Sequence, residues 1–237
     1  MPAPTVDDDD PLATRFREFI RDPEFSCVGA KAALARGQIR ILIARDIRSA
    51  WDDLRIYPEL VDFIREYQAE KTLFRSFAVI FGGPEANSEA TLSEAEFEHH
   101  LWQRLQSLSD KDAWFGESQD PRVSNDPASP HFSLSFGGEA FFVVGLHPQA
   151  SRIARRFERP ALVFNLHDQF ETLRAEGLYD KLSSTIAQRD LALNGTKNPM
   201  LSRFGEISEA RQYSGRQVDS EWRCPFHPPA GRDRNAA

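Results

Sequence analysis

Two histidines, each closing a short apolar run, are the residues best placed to do chemistry: His147 follows residues 140–146, and His167 follows residues 161–166. Between the runs lies the basic segment Ser151-Arg152-Ile153-Ala154-Arg155-Arg156. An uncharged imidazole is a common iron ligand, and guanidinium groups are planar forks that match carboxylates or a phosphate. Together these residues point to a metal carried inside an anionic cofactor, and the expectation is heme. In that reading His147 holds the metal, while Ser151, Arg152, Arg155 and Arg156 face the acid arms of the cofactor. The plainer alternatives are a strand-end histidine bonded to a carbonyl, and a solvated basic face. His167 is either a second polar group at the cofactor or the ligand in place of His147. Its neighbours Asn165 and Asp168 allow a simple helix cap instead.

The two runs, rich in β-branched and aromatic residues, read as buried strands punctuated by Pro148 and Pro160. Residues 148–159 suffice for a helical crossover, which would set the strands parallel. Both histidines would then emerge at one C-terminal edge of the sheet, where open α/β sheets hold their ligands. On such a helix Ser151 and Arg155 share one face, as do Arg152 and Arg156.

Leu12, Phe16, Phe19 and Ile20 recur at helical spacing as far as Asp22-Pro23. Residues 25–35 read as a small apolar helix stopped by Gly37, with Gly29 and its alanines open to close approach by a flat ligand. Strands are expected at 38–44 and 76–81, and helices at 51–54 and 58–69. Ser93 and Glu96 offer a capping box for a helix over 93–108. Residues 110–130 read as the longest loop, and 131–136, Gly137-Gly138 and 140–146 as a hairpin. One or two helices span 170–188, broken near Gly177, and residues 193–226 are expected to wrap back over the body. The expected architecture is α+β: a single domain over residues 11–227 with a mixed β-sheet flanked by helices, and disordered tails at 1–10 and 228–237.

The 237 residues suffice for one sizeable core. A net charge of -7 argues against general nucleic-acid binding, because no uniformly basic surface is available for phosphates. Cys27 and Cys224 lie too far apart in sequence to resemble a disulfide framework, and no Cys-x-x-Cys supports zinc. Cys27 could offer a thiolate to the cofactor or pack as a small hydrophobe. No run approaches the roughly 20 apolar residues that cross a bilayer, and the start lacks signal-peptide character, so a cytoplasmic protein with no membrane partner is expected. Glu206, Glu209, Asp168 and Glu171 could grip a guanidinium or ammonium substrate, against ordinary pairing with Arg203, Arg211 and Arg216. No nucleophile elbow, catalytic triad or dinucleotide fingerprint is present, so hydrolase and Rossmann readings are unsupported.

Three long stretches carry a resemblance: FREFIRDPEFSCVGAKAAL (16–34), GLHPQASRIARRFERPALVFNLHDQFETLR (145–174), and NPMLSRFGEISEARQYSGR with WRCPF (198–226). They resemble the YqcI/YcgG family. Some of its members look like heme-dependent oxygenases that hydroxylate nitrogen, including those acting on guanidino compounds in guanitoxin and D-cycloserine biosynthesis; many others have no assigned activity. The resemblance implies heme b, O2 as oxidant, and N-hydroxylation of a guanidino or amino small molecule. It implies an external electron donor, since no flavin or nicotinamide motif is visible. The matching HP…SR…RRF block carries over His147 as iron ligand and Arg152, Arg155 and Arg156 as propionate partners. Glu206 or Glu209 would then place the substrate nitrogen, with His167 as the polar group at the cofactor. A heme sensor or carrier without turnover is one rival, a heme-free anion-binding protein or hydrolase on the arginine face another, and a homodimer stays open.

Overall fold

The computed structural model describes residues 9–82 and 92–229. Apart from residues 9, 10, 228 and 229, the two expected tails lie outside the described residues. The chain begins with α1 (Pro11–Arg21), whose first turn is fixed by Pro11 and by the Asp10 carboxylate accepting from the Leu12 N–H at 2.7 Å. After an extended stretch, α2 (Val28–Ala35) starts at Cys27, whose Sγ accepts from the Ala30 N–H at 3.4 Å. Then come β1 (Ile39–Ala44), α3 (Asp53–Ala69) and β2 (Ser76–Phe81). The two helices expected at 51–54 and 58–69 are one. Pro58 sits in its second turn and forfeits a single backbone bond, while Asp53 is anchored by Arg104 Nη1 at 3.0 Å and Ser107 Oγ at 2.5 Å.

The capping box is present: Ser93 and Glu96 exchange side-chain and backbone bonds at the start of α4 (Glu94–Phe115). This helix continues past the expected end at 108. Its polar Asp112 is buried and accepts from Tyr57 Oη and the Gly137 N–H, each at 2.9 Å. The hairpin forms as expected, with β3 (Leu134–Phe136) and β4 (Glu139–Leu146) joined at Gly137-Gly138. A short 3₁₀ turn (Ile153–Arg155) precedes β5 (Ala161–Leu166), followed by α5 (His167–Ala175), α6 (Tyr179–Asn194) and α7 (Ala210–Tyr213).

The strands form one mixed sheet in the order β1-β2-β5-β4-β3, so the α+β expectation holds. β1 and β2 are parallel, and the other three pairings are antiparallel. This overturns the parallel crossover expected between β4 and β5. Leu146 pairs with Ala161 and Phe141 with Leu166, so the chain turns back on itself between the prolines. His147 N–H donates to the Arg155 carbonyl at 3.0 Å and closes that return, and no α-helix forms in it. The shared faces expected for Ser151, Arg152, Arg155 and Arg156 therefore do not exist. His147 falls opposite residue 160 and His167 opposite residue 140, so the two lie at opposite ends of the sheet, roughly 23 Å apart along the strands at about 3.3 Å per residue.

Alternation along the strands gives the sheet two apolar faces. Phe77, Val79, Phe141, Val143, Phe164 and Leu166 join α3 and α4 in the larger core. Ile41, Ala78, Ile80, Leu146 and Ala161 meet α1 and α2 on the other face. Gly145 lets α4 pack tightly on the sheet, since a Cβ there would lie 2.7 Å from Phe97 Cε1 and 2.8 Å from Leu101 Cδ1. Gly145→Val is therefore expected to lose about 1–3 kcal/mol of stability through overpacking, read as a lower midpoint in chemical denaturation.

Candidate functional site

The second face of the sheet is only partly covered by α1 and α2. Beyond them, Phe142 and Val144 of β4 and Asn165 of β5 floor a cavity of about 520 Å³. α5 and α6 wall it, and residues 201–212 close it from the C-terminal side. This volume falls within the roughly 300–1,000 Å³ of small-molecule and cofactor sites. A smaller chamber of about 220 Å³ adjoins it beneath α1 and α2, and Cys27, Ser76, Val144, Asn165, Ile186 and Leu201 line both.

His167 is the histidine of the larger chamber. It opens α5 where β5 ends, is 2% exposed, and packs edge-on against Phe204 with ring centroids 4.4 Å apart. Neither ring nitrogen makes a hydrogen bond, although the Glu171 carboxylate lies 3.7 Å from Nδ1. Burial pushes its pKa down to about 4, and the nearby Arg174 and Arg122 charges add to the shift. A neutral imidazole is the form that ligates a metal.

Glu209 faces the same chamber at 4% exposure and accepts from Ser133 Oγ at 2.6 Å and Tyr213 Oη at 2.7 Å. Burial pushes its pKa up to about 7, against these two hydrogen bonds and the Arg174 charge. Glu206 lines the exposed side, where it accepts from the Arg203 N–H at 3.0 Å. Arg174 and Arg203 are exposed lining residues as well. Arg203 reaches Asp180 at 3.6 Å. Arg174 has no carboxylate partner among the described residues and stacks on Tyr179 at 4.3 Å.

His147 occupies a different environment. It is 1% exposed and stacked on Phe97 at 4.3 Å, and it lines neither chamber. Its nitrogens are also unpartnered, and burial lowers its pKa to about 4. The basic segment is largely committed to the protein itself. Arg152 forms an ion pair with Asp190 and donates to the Thr196 carbonyl at 2.9 Å. Arg155 donates to the carbonyls of Gly145, Gln212 and Tyr213, at 3.2, 2.9 and 2.9 Å. Arg156 donates to the Ala150 and Ser151 carbonyls. Ser151 is exposed, its N–H donating to Glu94 Oε1 at 2.8 Å. Arg152 and Arg155 line the smaller chamber; Ser151 and Arg156 line neither. Cys27 lines both chambers, and burial raises its thiol pKa, which disfavours thiolate.

The structure thus brings His167, Glu206, Glu209 and Cys27 together and leaves His147 apart. Asn165 does not cap α5; its Nδ2 donates to the Phe142 carbonyl across the sheet and to the Val163 carbonyl of its own strand. Arg174 was missed by sequence reasoning, yet its signal was present: His167, Phe170 and Arg174 stand three and four residues apart on one helical face.

The molecule is therefore an α+β protein with a two-chambered pocket on one face of a mixed sheet. A family model described as the YqcI/YcgG family matches residues 16–227, and the chain belongs to that family. No curated protein and no solved structure matches the chain. Among the described residues no helix is long and apolar enough to cross a membrane, and no three His, Cys, Asp or Glu side chains cluster as a metal cage.

Because the Glu209 carboxyl holds its proton more tightly folded than unfolded, its contribution to stability is largest at low pH. That contribution is lost as pH rises from about 4.5 to about 7. Against wild type, Glu209→Gln should remove this decline, read as a flatter dependence of the denaturation midpoint on pH between 5 and 7.5. An unchanged dependence would show that the carboxyl titrates normally.

Proposed function

We propose that the larger chamber holds heme b through His167, and that the protein uses it to hydroxylate a nitrogen of a guanidino or amino small molecule. The observation that carries this reading is a buried imidazole with two unpartnered nitrogens on the wall of a cavity of cofactor size. The remaining residues fit the same ligand. Phe142, Phe170, Leu173 and Leu182 supply apolar wall for a macrocycle, and Gly29 keeps one side free of a Cβ. Arg174 and Arg203 stand at the exposed side, where acid arms would meet solvent and guanidinium together. When bound, the heme supplies O2 binding and one-electron chemistry, with electrons from an external donor.

The chain's own groups have separate roles. Near neutral pH His167 is unprotonated and so presents a lone pair. Glu209 is poised to hold or release a proton, with Tyr213 and Ser133 fixing its orientation. Ionised, the same carboxylate can align a cationic nitrogen of the substrate, and Glu206 adds charge at the entrance. The apolar walls limit water, which strengthens each of these interactions.

Titration with hemin should give a Soret band, and His167→Ala should weaken hemin binding by at least about tenfold, since even outer-shell changes at metal sites cost that much. His147→Ala should leave the band in place. The reverse pattern would move the iron to His147, and a protein that stays colourless would sink the heme reading. Turnover is tested with guanidine and amine candidates, reductant and O2, looking by mass spectrometry for a gain of one oxygen atom. Stable O2 or NO complexes with no oxygenated product would identify a carrier or sensor instead.

A further inference from the structure

The smaller chamber carries its own charge pattern. Its walls are mostly apolar, drawn from α1 and the sheet: Phe16, Phe19, Ile39, Leu146 and Val163. Three charged side chains border it, Arg152, Arg155 and Asp190. Arg152 and Asp190 neutralise one another as an ion pair, and Asp190 Oδ1 also accepts from Asn194 Nδ2 at 2.9 Å. Arg155 is left over. Its three bonds go to neutral carbonyls, and no carboxylate lies within ion-pair distance among the described residues. Of the five N–H groups of a guanidinium, two have no acceptor there, the Nε–H among them. An apolar chamber bordered by one uncompensated cation matches a ligand with an apolar body and a single negative charge.

We propose that the smaller chamber is a binding site for a monocarboxylic acid with an aromatic or branched aliphatic body, its carboxylate facing Arg155. A carboxylate suits the site better than a phosphate group, which carries more oxygens than the remaining donors can satisfy. The aromatic wall of Phe16, Phe19 and Phe25 accommodates the ring or branched end. The proposal needs no heme, so it stands or falls separately from the function of the larger chamber.

The test uses the full chain without added heme and two probe pairs: phenylacetate against phenylacetamide, and 4-methylpentanoate against its amide. Calorimetry should show each acid binding at least about tenfold more tightly than its amide, the margin of one charge-assisted contact. Arg155→Gln should abolish that preference. Because Arg155 also secures the C-terminal segment, Val163→Phe provides a second variant: it fills the smaller chamber from β5 and does not touch the larger one. Folded Val163→Phe should lose acid binding by about tenfold or more. Equal binding of acid and amide, no binding of either acid, or full binding by Val163→Phe would overturn the proposal.

Discussion

The antiparallel register between β4 and β5 is the constraint on which the rest of the structure depends. With Phe141 opposite Leu166 and Leu146 opposite Ala161, the odd-numbered β4 residues and even-numbered β5 residues face α3 and α4. Phe142, Val144, Val163 and Asn165 then turn to the opposite face and become the floor of the two chambers. A slip of one residue would exchange these sets and place Phe141 and Phe164 in the cavity. The same register sends the two histidines to opposite ends of the sheet. They are too far apart to share one metal ion, so at most one of them belongs to the larger chamber.

Most of the architecture was legible in the sequence because it rests on local signals. The hairpin declared itself through Gly137-Gly138 between apolar runs, and α4 through Ser93 and Glu96 at capping-box spacing. The direction of β5 was not legible. A connection of a dozen residues is long enough for a helical crossover and equally for a folded return, and hydrophobic periodicity does not separate them. What separates them is non-local. Arg155 finds its carbonyls at Gln212 and Tyr213, more than fifty residues away, and α6 is tied to the return through Arg152 and Asp190. The arginine spacing that suggested a helical face was real, but these side chains act as clamps on backbone carbonyls. The site was half legible for the same reason. His167 and Glu209 stood out by type, while their meeting required residues 201–212 to fold over α5.

The electrostatics of the larger chamber follow from its burial. Desolvation disfavours whichever form is charged, so it holds His167 neutral and resists ionisation of Glu209. Arg174 acts on both groups in a consistent sense, opposing a proton on the imidazole and favouring the carboxylate. The pair is thereby separated into an imidazole that stays neutral near pH 7 and a carboxyl that changes state near neutrality. Tyr213 reinforces the division: its hydroxyl is buried, its pKa is raised well above the ordinary value, and it remains a donor to Glu209.

Tyr213 also joins the chambers. Its carbonyl accepts from Arg155 of the smaller one, while its hydroxyl donates to Glu209 of the larger one. Gly215 makes this arrangement possible. It adopts a positive φ of 83°, and a Cβ there would lie 2.9 Å from Arg155 Cδ, so the guanidinium stem lies directly against the backbone. The C-terminal segment has little regular secondary structure, and its attachment comes instead from side-chain bonds to carbonyls and from Trp102 stacked on Tyr213 at 5.6 Å. Such bonds leave no periodic trace in a sequence. They explain how a stretch that looks irregular can wall one side of the cavity and set the position of its most responsive carboxyl group.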